Sequence, residues 1–377
     1  MSAAFLPGQT LIDRYQLIDF HGAGGMQQVY LCRDLALDRT VVLKTPKAGI
    51  EDRRFRRGAE MGARVHHQNA AATYDYYEDE LLTFMIEEFV QGRDLGKRFS
   101  DDFHFMDPAL TAHVLHHLAR ALHEAHSVGI CHRDIKPSNI IVSDDPGLRV
   151  IKLTDFGIAK MAESEIGAEI GRFGNDNSTL TASASSTLLG AVPYMAPECW
   201  EDWRLAGKPM DIWAVGCIGY QLLSGNLPFG SGAAAIGHVI RAGQTGNVTL
   251  TKPAWFGYHA ATRPLEDDLW SFITACIQPN QNLRPTAAQL RDMTDAFCYP
   301  AAIRKEGTIS SFGIRYPSGG FSRSGSIRDS ETNGECFFHG DDFYGTVRPT
   351  PGQRVSYSIY AGNPRSRASP VLQLKTP

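Results

Sequence analysis

Between Tyr15 and Val90 short runs of β-branched and aromatic residues alternate with turn residues. This pattern predicts strands at Tyr15–Phe20, Gln28–Cys32, Thr40–Lys44 and Leu82–Phe89. One helical stretch, Asp52–Val65, interrupts them. From Pro108 the period lengthens. Leu110, Val114, Leu115, Leu118, Leu122 and His126 recur at three- and four-residue spacings, the apolar stripe of an amphipathic helix over Pro108–His126. Two short strands follow, at Ile140–Val142 and Val150–Leu153. The stretch Glu163–Ser186 is rich in Gly, Ser, Thr, Asn and Ala; it is too long for an ordinary connection and reads as a functional or mobile loop. Helical patterning resumes at Pro209–Ser224 and continues to about Phe297. After Tyr299 a period of two appears, as in Val355, Tyr357 and Ile359. The expected architecture is α+β: a β-rich lobe, a helical lobe with a long loop, and a small all-β segment.

Composition narrows the field without naming a partner. Of 377 residues, 43% are apolar and 21% charged, which allows a sizeable core and argues against wholesale disorder. The net charge of −4 announces neither a nucleic acid nor a membrane surface. The balance is uneven, however: from Arg304 onward ten Lys/Arg face six Asp/Glu, so the tail is basic and the body acidic. Seven dispersed cysteines without C-x-x-C spacing argue against zinc ligation and read as reduced thiols, so a cytoplasmic location is expected. Neither a signal peptide nor a run of 18 apolar residues is evident, so no membrane association is expected.

Several short segments fall in an order that phosphoryl transfer requires: phosphates held, a metal placed, a hydroxyl positioned in line. Gly22, Gly24 and Gly25 lie between two strands, where glycines let backbone amides approach phosphate oxygens; a plain hairpin turn is the alternative reading. Lys44 ends the run Val41-Val42-Leu43-Lys44. His132-Arg133-Asp134-Ile135-Lys136-Pro137-Ser138-Asn139 follows the long helix; Asp134 can accept a hydroxyl proton and Asn139 can reach a metal. Asp155-Phe156-Gly157 supplies a second metal-binding carboxylate, and Met195-Ala196-Pro197-Glu198 closes the long loop.

On these segments the stretch from about Tyr15 to Phe297 resembles the eukaryotic-type protein kinase family, in a form like its bacterial branch. The resemblance implies a bilobal protein kinase fold over 10–298, a linker at 299–305, and ATP with Mg²⁺ (or Mn²⁺) as cofactors. It further implies Ser/Thr protein substrates, with Lys136 contacting the transferred phosphate. The nucleotide would lie against Gly22, Gly24, Gly25, Val29, Val42, Lys44, Glu87, Glu88, Val90 and Ile141. Asp211 resembles the buried helix Asp that braces the catalytic loop, and Arg284 the late Arg that pairs with Glu198. Arg133 resembles the Arg that receives a phosphorylated loop residue, for which Thr181, Ser183, Ser185 and Thr187 are candidates.

Three departures from the family pattern stand out. Gln27 replaces the third glycine of the loop, which is expected to loosen phosphate contact. Ala191 replaces a threonine beside the substrate. The helix Glu that normally pairs with the strand Lys falls on Gly58, when counted back from His67-Gln68-Asn69, and Glu60 should face elsewhere. Glu87, at a normally apolar position close to Lys44, is the expected substitute partner; a register shifted by one residue, with Glu87 facing solvent, is the alternative reading.

The C-terminal stretch resembles cold-shock domains through Gly307–Phe312, Gly334–Asp342, Pro351–Tyr357 and Gly362–Ala368. The implied fold over 306–377 is a five-stranded OB-like barrel. Weak single-stranded nucleic acid binding is implied through Phe321, Phe337 and His339, against a barrel without that function. At chain level, an active kinase, a pseudokinase scaffold and a regulatory nucleic-acid-binding protein are the competing expectations, and oligomeric state is open.

Overall fold

Alternation along the first strands buries one face of each and leaves the other toward solvent or the cleft. β1 (Thr10–Leu11), β2 (Tyr15–Ala23), β3 (Gln27–Asp34) and β4 (Arg39–Pro46) pair antiparallel in sequence. Helix α1 (Asp52–Gly62), β5 (Thr73–Glu78) and β6 (Thr83–Glu88) follow, and the sheet order is β1-β2-β3-β4-β6-β5. Leu11, Tyr15, Leu17, Tyr30, Val41, Leu43, Phe84 and Ile86 form this lobe's core. The computed structural model describes residues 4–23, 27–47, 52–156, 190–202, 206–299, 303–315, 317–362 and 366–376.

Three elements of this lobe differ from the expectation, the first being the two-residue β1, which lies before the expected start at Tyr15. Helix α1 stops at Gly62 rather than Val65, because the chain must pass close to β5: a Cβ on Gly62 would lie 2.5 Å from Thr73 Oγ1. Strand β5 was not expected at all. It is an edge strand with no fully buried residue and a bulge between Thr73 and Asp75, so it carries no alternation to detect.

The helical lobe begins with β7 (Arg93–Asp94), α2 (Leu95–Asp102) and α3 (Pro108–Ser127). Asp107 caps α3, its Oδ1 accepting from Ala109 N at 3.0 Å and Leu110 N at 3.1 Å, and Pro108 occupies the first helical turn. The predicted stripe of Leu110, Val114, Leu115, Leu118 and Leu122 is fully buried, worth about 1.5–3 kcal/mol per side chain. Strands β8 (Ile140–Val142) and β9 (Ile151–Leu153) join β7 in a small sheet. Gly92 makes that junction possible: its φ is +145°, and a Cβ there would overlap Val142 O at 2.0 Å. Helices α4 (Glu198–Glu201), α5 (Lys208–Ser224), α6 (Gly232–Thr245), α7 (Arg263–Cys276) and α8 (Ala287–Asp295) complete the lobe. No helix among the described residues is long and apolar enough to cross a membrane.

The C-terminal segment closes on itself. β10 (Arg304–Phe312), β11 (Ser324–Asp329) and β12 (Glu335–His339) form an antiparallel meander, and the short β13 (Phe343–Tyr344) follows. β14 (Arg354–Tyr360) pairs with β10, and β15 (Arg367–Gln373) pairs with β14 and, in parallel, with β12. The result is a closed five-stranded barrel around Ile309, Ile327, Phe338, Val355, Tyr357 and Val371. β10 starts two residues inside the stretch expected to be a linker. The reason is a buried ion pair: Arg304 Nη2 donates to Asp107 Oδ2 at 2.5 Å and so ties the strand to the cap of α3. Tyr344, Leu372 and Leu374 belong to the helical lobe's own core, and Lys375 N donates to Asp102 O at 2.9 Å. The barrel is therefore packed onto the helical lobe rather than strung from it.

Candidate functional site

Helix α3 delivers the chain to the loop that carries Asp134. That loop is held from beneath by Asp211 on α5. Its buried carboxylate accepts from His132 N and Arg133 N, both at 2.8 Å, and from His126 Nε2 at 2.9 Å. Burial alone would raise its pKa; the bond from His126, the His126 and His132 charges and the backbone amide outweigh it, so the carboxylate stays ionised. Arg133 and Asp155 sit in the left-handed region, at φ 67° and 63°. Such residues cost about 1–3 kcal/mol each and persist where surroundings over-determine them. Here Thr154 supplies the constraint. Its N donates to Asn139 O at 2.9 Å, its Oγ1 to the same oxygen at 3.1 Å, and its own O pairs with His132 Nε2 at 2.8 Å.

Within the loop Asp134 Oδ2 faces Lys136 Nζ at 2.8 Å and accepts from Asn139 Nδ2 at 3.0 Å. Since Asn139 Nδ2 also reaches Asp134 O at 2.8 Å, its donor end is committed and its Oδ1 is the end left for a cation. Across the seam between the lobes, Lys44 Nζ contacts the carboxylates of both Glu87 and Asp155. Lys44 and Glu87 side chains are only 7% and 8% exposed. Burial alone would push the ammonium's pKa down; the Asp155 and Glu87 charges outweigh it and lift it. For Glu87 burial wins and raises the carboxyl above the ordinary range, while for Asp155 the Lys44 charge overcomes burial and lowers it.

The remaining sequence candidates fall as follows. Gly22 has φ +152°. Val29, Val42, Val90 and Ile141 are half-buried. Glu88 turns its side chain away to Lys152 Nζ, at 2.6 Å, leaving only its backbone for a nucleotide. Gly58 is buried and Glu60 is exposed, pairing with Arg56 at 3.2 Å. Gly24, Gly25, Thr181, Ser183, Ser185 and Thr187 lie outside the described residues. Arg284 grips Glu198 through both terminal nitrogens, at 2.6 and 2.8 Å, and spends its other N–H groups on Gln278 O, Pro209 O and Pro279 O. On the barrel, Phe321 and Phe337 are 64% and 37% exposed, and His339 Nδ1 accepts from Asp341 N at 3.2 Å.

Two contacts had no sequence signal. Gln27 Nε2 donates to Asp155 Oδ1 at 3.3 Å, and Cys131 Sγ donates to Asp211 Oδ2 at 3.2 Å.

A two-lobed fold with a paired lysine, a braced aspartate loop and a second aspartate at the seam defines a protein-kinase scaffold. The chain belongs to the protein kinase family: residues 15–294 match the family described as protein kinase domain. It is similar to the serine/threonine-protein kinase PrkC of Bacillus subtilis, 33% identical over 237 residues, covering 61% of this chain and 34% of that protein. Serine/threonine-protein kinase pkn3 of Myxococcus xanthus is 34% identical over 237 residues, with 60% and 40% covered. PknB of Mycobacterium leprae is 32% identical over 228 residues, with 58% and 34% covered. The chain spans about a third to two fifths of the length of these curated relatives. Its fold is like that of Rad53 1-466 in complex with AMP-PNP, with a TM-score of 0.53, 23% identity, and 74% of this chain and 64% of that one covered.

Proposed function

We propose that this chain is a serine/threonine protein kinase that moves the γ-phosphoryl group of ATP onto protein hydroxyls. The observation that carries the reading is the pairing of two clusters across Thr154: Asp134, Lys136 and Asn139 on one side, Lys44, Glu87 and Asp155 on the other. Asp134, partly exposed and held by Asn139, orients the incoming hydroxyl and accepts its proton. Lys136 balances charge gathering on the transferred group. Lys44 holds the α- and β-phosphates, with Glu87 standing in for the helix carboxylate that Gly58 lacks. Oxygen donors from Asn139 and Asp155 suit a hard divalent ion such as Mg²⁺. That ion, when bound, neutralises phosphate charge.

The intact set favours activity over a scaffold role. Incubating the purified full chain with labelled ATP, Mg²⁺ and a general protein substrate tests it. Asp134→Asn and Asp155→Ala should each lower incorporation about a hundredfold or more. Equal incorporation by wild type and both variants would overturn the reading. Autophosphorylation at Thr181, Ser183, Ser185 or Thr187, with Arg133 receiving the phosphate, is part of the same proposal and is read by mass spectrometry. The free cysteines support a cytoplasmic location.

The barrel closes in the strand order β10-β11-β12-β15-β14, which supports an OB-like reading. Exposed Phe321 and Phe337 favour weak single-strand binding there. Titrating the full chain with short oligonucleotides at low and high salt tests this; binding that is absent at low salt overturns it.

A further inference from the structure

Gln27 opens strand β3 at the position where the family's loop has its third glycine. Its backbone pairs with Pro46 across the ladder, a pairing that needs no particular side chain. Yet the side chain does not lie on the surface. The residue is 8% exposed, and its Nε2 donates to Asp155 Oδ1, the same oxygen that Lys44 contacts. The other end of the carboxamide, Oε1, is buried and meets no donor among the described residues. An orphaned buried amide oxygen is costly, and ordinarily such groups find partners. So this chain places at the seam a carboxamide tied at one end to the Asp155 carboxylate and, among the described residues, without a partner at the other.

The missing partner must be a hydrogen-bond donor. Phosphate oxygens only accept, so the triphosphate cannot fill the role. A hydrated divalent cation can, because ions such as Mg²⁺ keep several waters, and those waters are strong donors. We propose that Gln27 is a positioning residue for the nucleotide-bound cation: its N–H steadies Asp155 and its Oε1 accepts from a cation-bound water. The family's glycine would supply neither contact. The substitution thus tightens the metal end of the site rather than loosening the phosphate end. This inference rests on the phosphotransfer reading of the site.

The test compares wild type with Gln27→Met, close in shape but without the carboxamide's N–H donor and strong oxygen acceptor, and Gln27→Gly, the family's residue. A non-hydrolysable ATP analogue is titrated calorimetrically into the full chain with and without Mg²⁺. Both variants should lose about 5- to 20-fold of the Mg²⁺-dependent gain in affinity, while metal-free affinity stays within about twofold. The Mg²⁺ concentration for half-maximal turnover should rise by a similar factor. Three results overturn the proposal: an unchanged Mg²⁺-dependent gain, equal weakening with and without Mg²⁺, or tighter binding in the variants. If wild type itself shows no Mg²⁺-dependent binding, the phosphotransfer reading falls with it. If wild type shows that gain and the variants match it, only the role of Gln27 falls.

Discussion

Replacing Glu87 by methionine restores an apolar residue of the usual kind at this position, and it is expected to damage the enzyme. Lys44 has two carboxylate partners, Glu87 and Asp155. Breaking a buried ion pair by removing one partner costs about 3–5 kcal/mol when the other charge is left alone. Here Asp155 stays in contact in the free protein, and the methionine no longer suffers the desolvation that raises the Glu87 pKa. Thermal stability should therefore move little, by about 1 kcal/mol or less in either direction. Turnover is different. If Asp155 binds the cation of the proposed reaction, Lys44 would keep no second carboxylate to itself and its position would no longer be set. A drop of about 10- to 100-fold in kcat/KM is expected, equivalent to about 1.4–2.7 kcal/mol of transition-state binding.

The assay is steady-state phosphotransfer with ATP as the varied substrate, beside a thermal melt of each variant. Glu87→Gln, which keeps an acceptor without the charge, should fall between wild type and Glu87→Met. Adding Gly58→Glu to Glu87→Met should recover part of the loss by rebuilding the partner on α1. Full activity in Glu87→Met would falsify the argument, as would a loss matched by an equal loss of folded protein.

Arg284→Lys cannot replace five committed N–H donors and leaves Glu198 under-satisfied. A loss of about 2–4 kcal/mol in urea unfolding is expected, with an unchanged denaturant slope. Asp107→Ala removes both the α3 cap and the partner of buried Arg304, at about 3–5 kcal/mol for the pair and about 1 kcal/mol for the cap. Melting temperature and protease cleavage near 299–305 report it; unchanged values would show that the barrel dock is not held there. His113 has its pKa held down from 6.5 to about 4, first by burial and then by the His117 charge. Its contribution to stability is thus complete above pH 6.5 and is lost as pH falls toward 4. The drop from 6.5 to about 4 corresponds to about 3 kcal/mol in total. His113→Asn should flatten the pH dependence of unfolding across that window, and an unchanged slope would exclude the burial argument.

Legibility followed distance along the chain. The α3 stripe could be read because one helix buries one face against one core, so a period of 3.6 survives in the sequence. The brace of Asp211 on the loop of Asp134 and the Arg284 pair span 78 to 86 positions, and only resemblance to a family indicated either. Resemblance also gave the cleft-facing position of Glu87, through its place in the strand entering the link between lobes. What carried no signal was the union of barrel and helical lobe. Arg304 and Asp107 are 197 positions apart, and nothing local distinguishes that arginine from the other basic residues of the tail. Gln27 was visible only as a missing glycine. Its reach to Asp155 across 128 positions depends on how the sheet overhangs the seam, which no local pattern encodes.

Moving the partner carboxylate from helix to strand changes what can control the lysine. β4 and β6 are hydrogen-bonded neighbours, with Lys44 opposite Met85 and Val42 opposite Glu87. Lys44 and Glu87 are thus a diagonal cross-strand pair on one face, within reach of long side chains, and the ladder itself sets their spacing. Helix α1 touches this region through Phe55 and Ala59 against Met85, an apolar contact that carries no charge to the lysine. Among the described residues its Glu60 is spent on Arg56, 62% exposed and on another face. In a kinase whose lysine is paired from the helix, a rotation of that helix breaks the pair. In this chain the same rotation leaves the pair inside one sheet. What meets that pair at the seam is Asp155, whose Oδ1 is shared by the Lys44 ammonium and the Gln27 carboxamide.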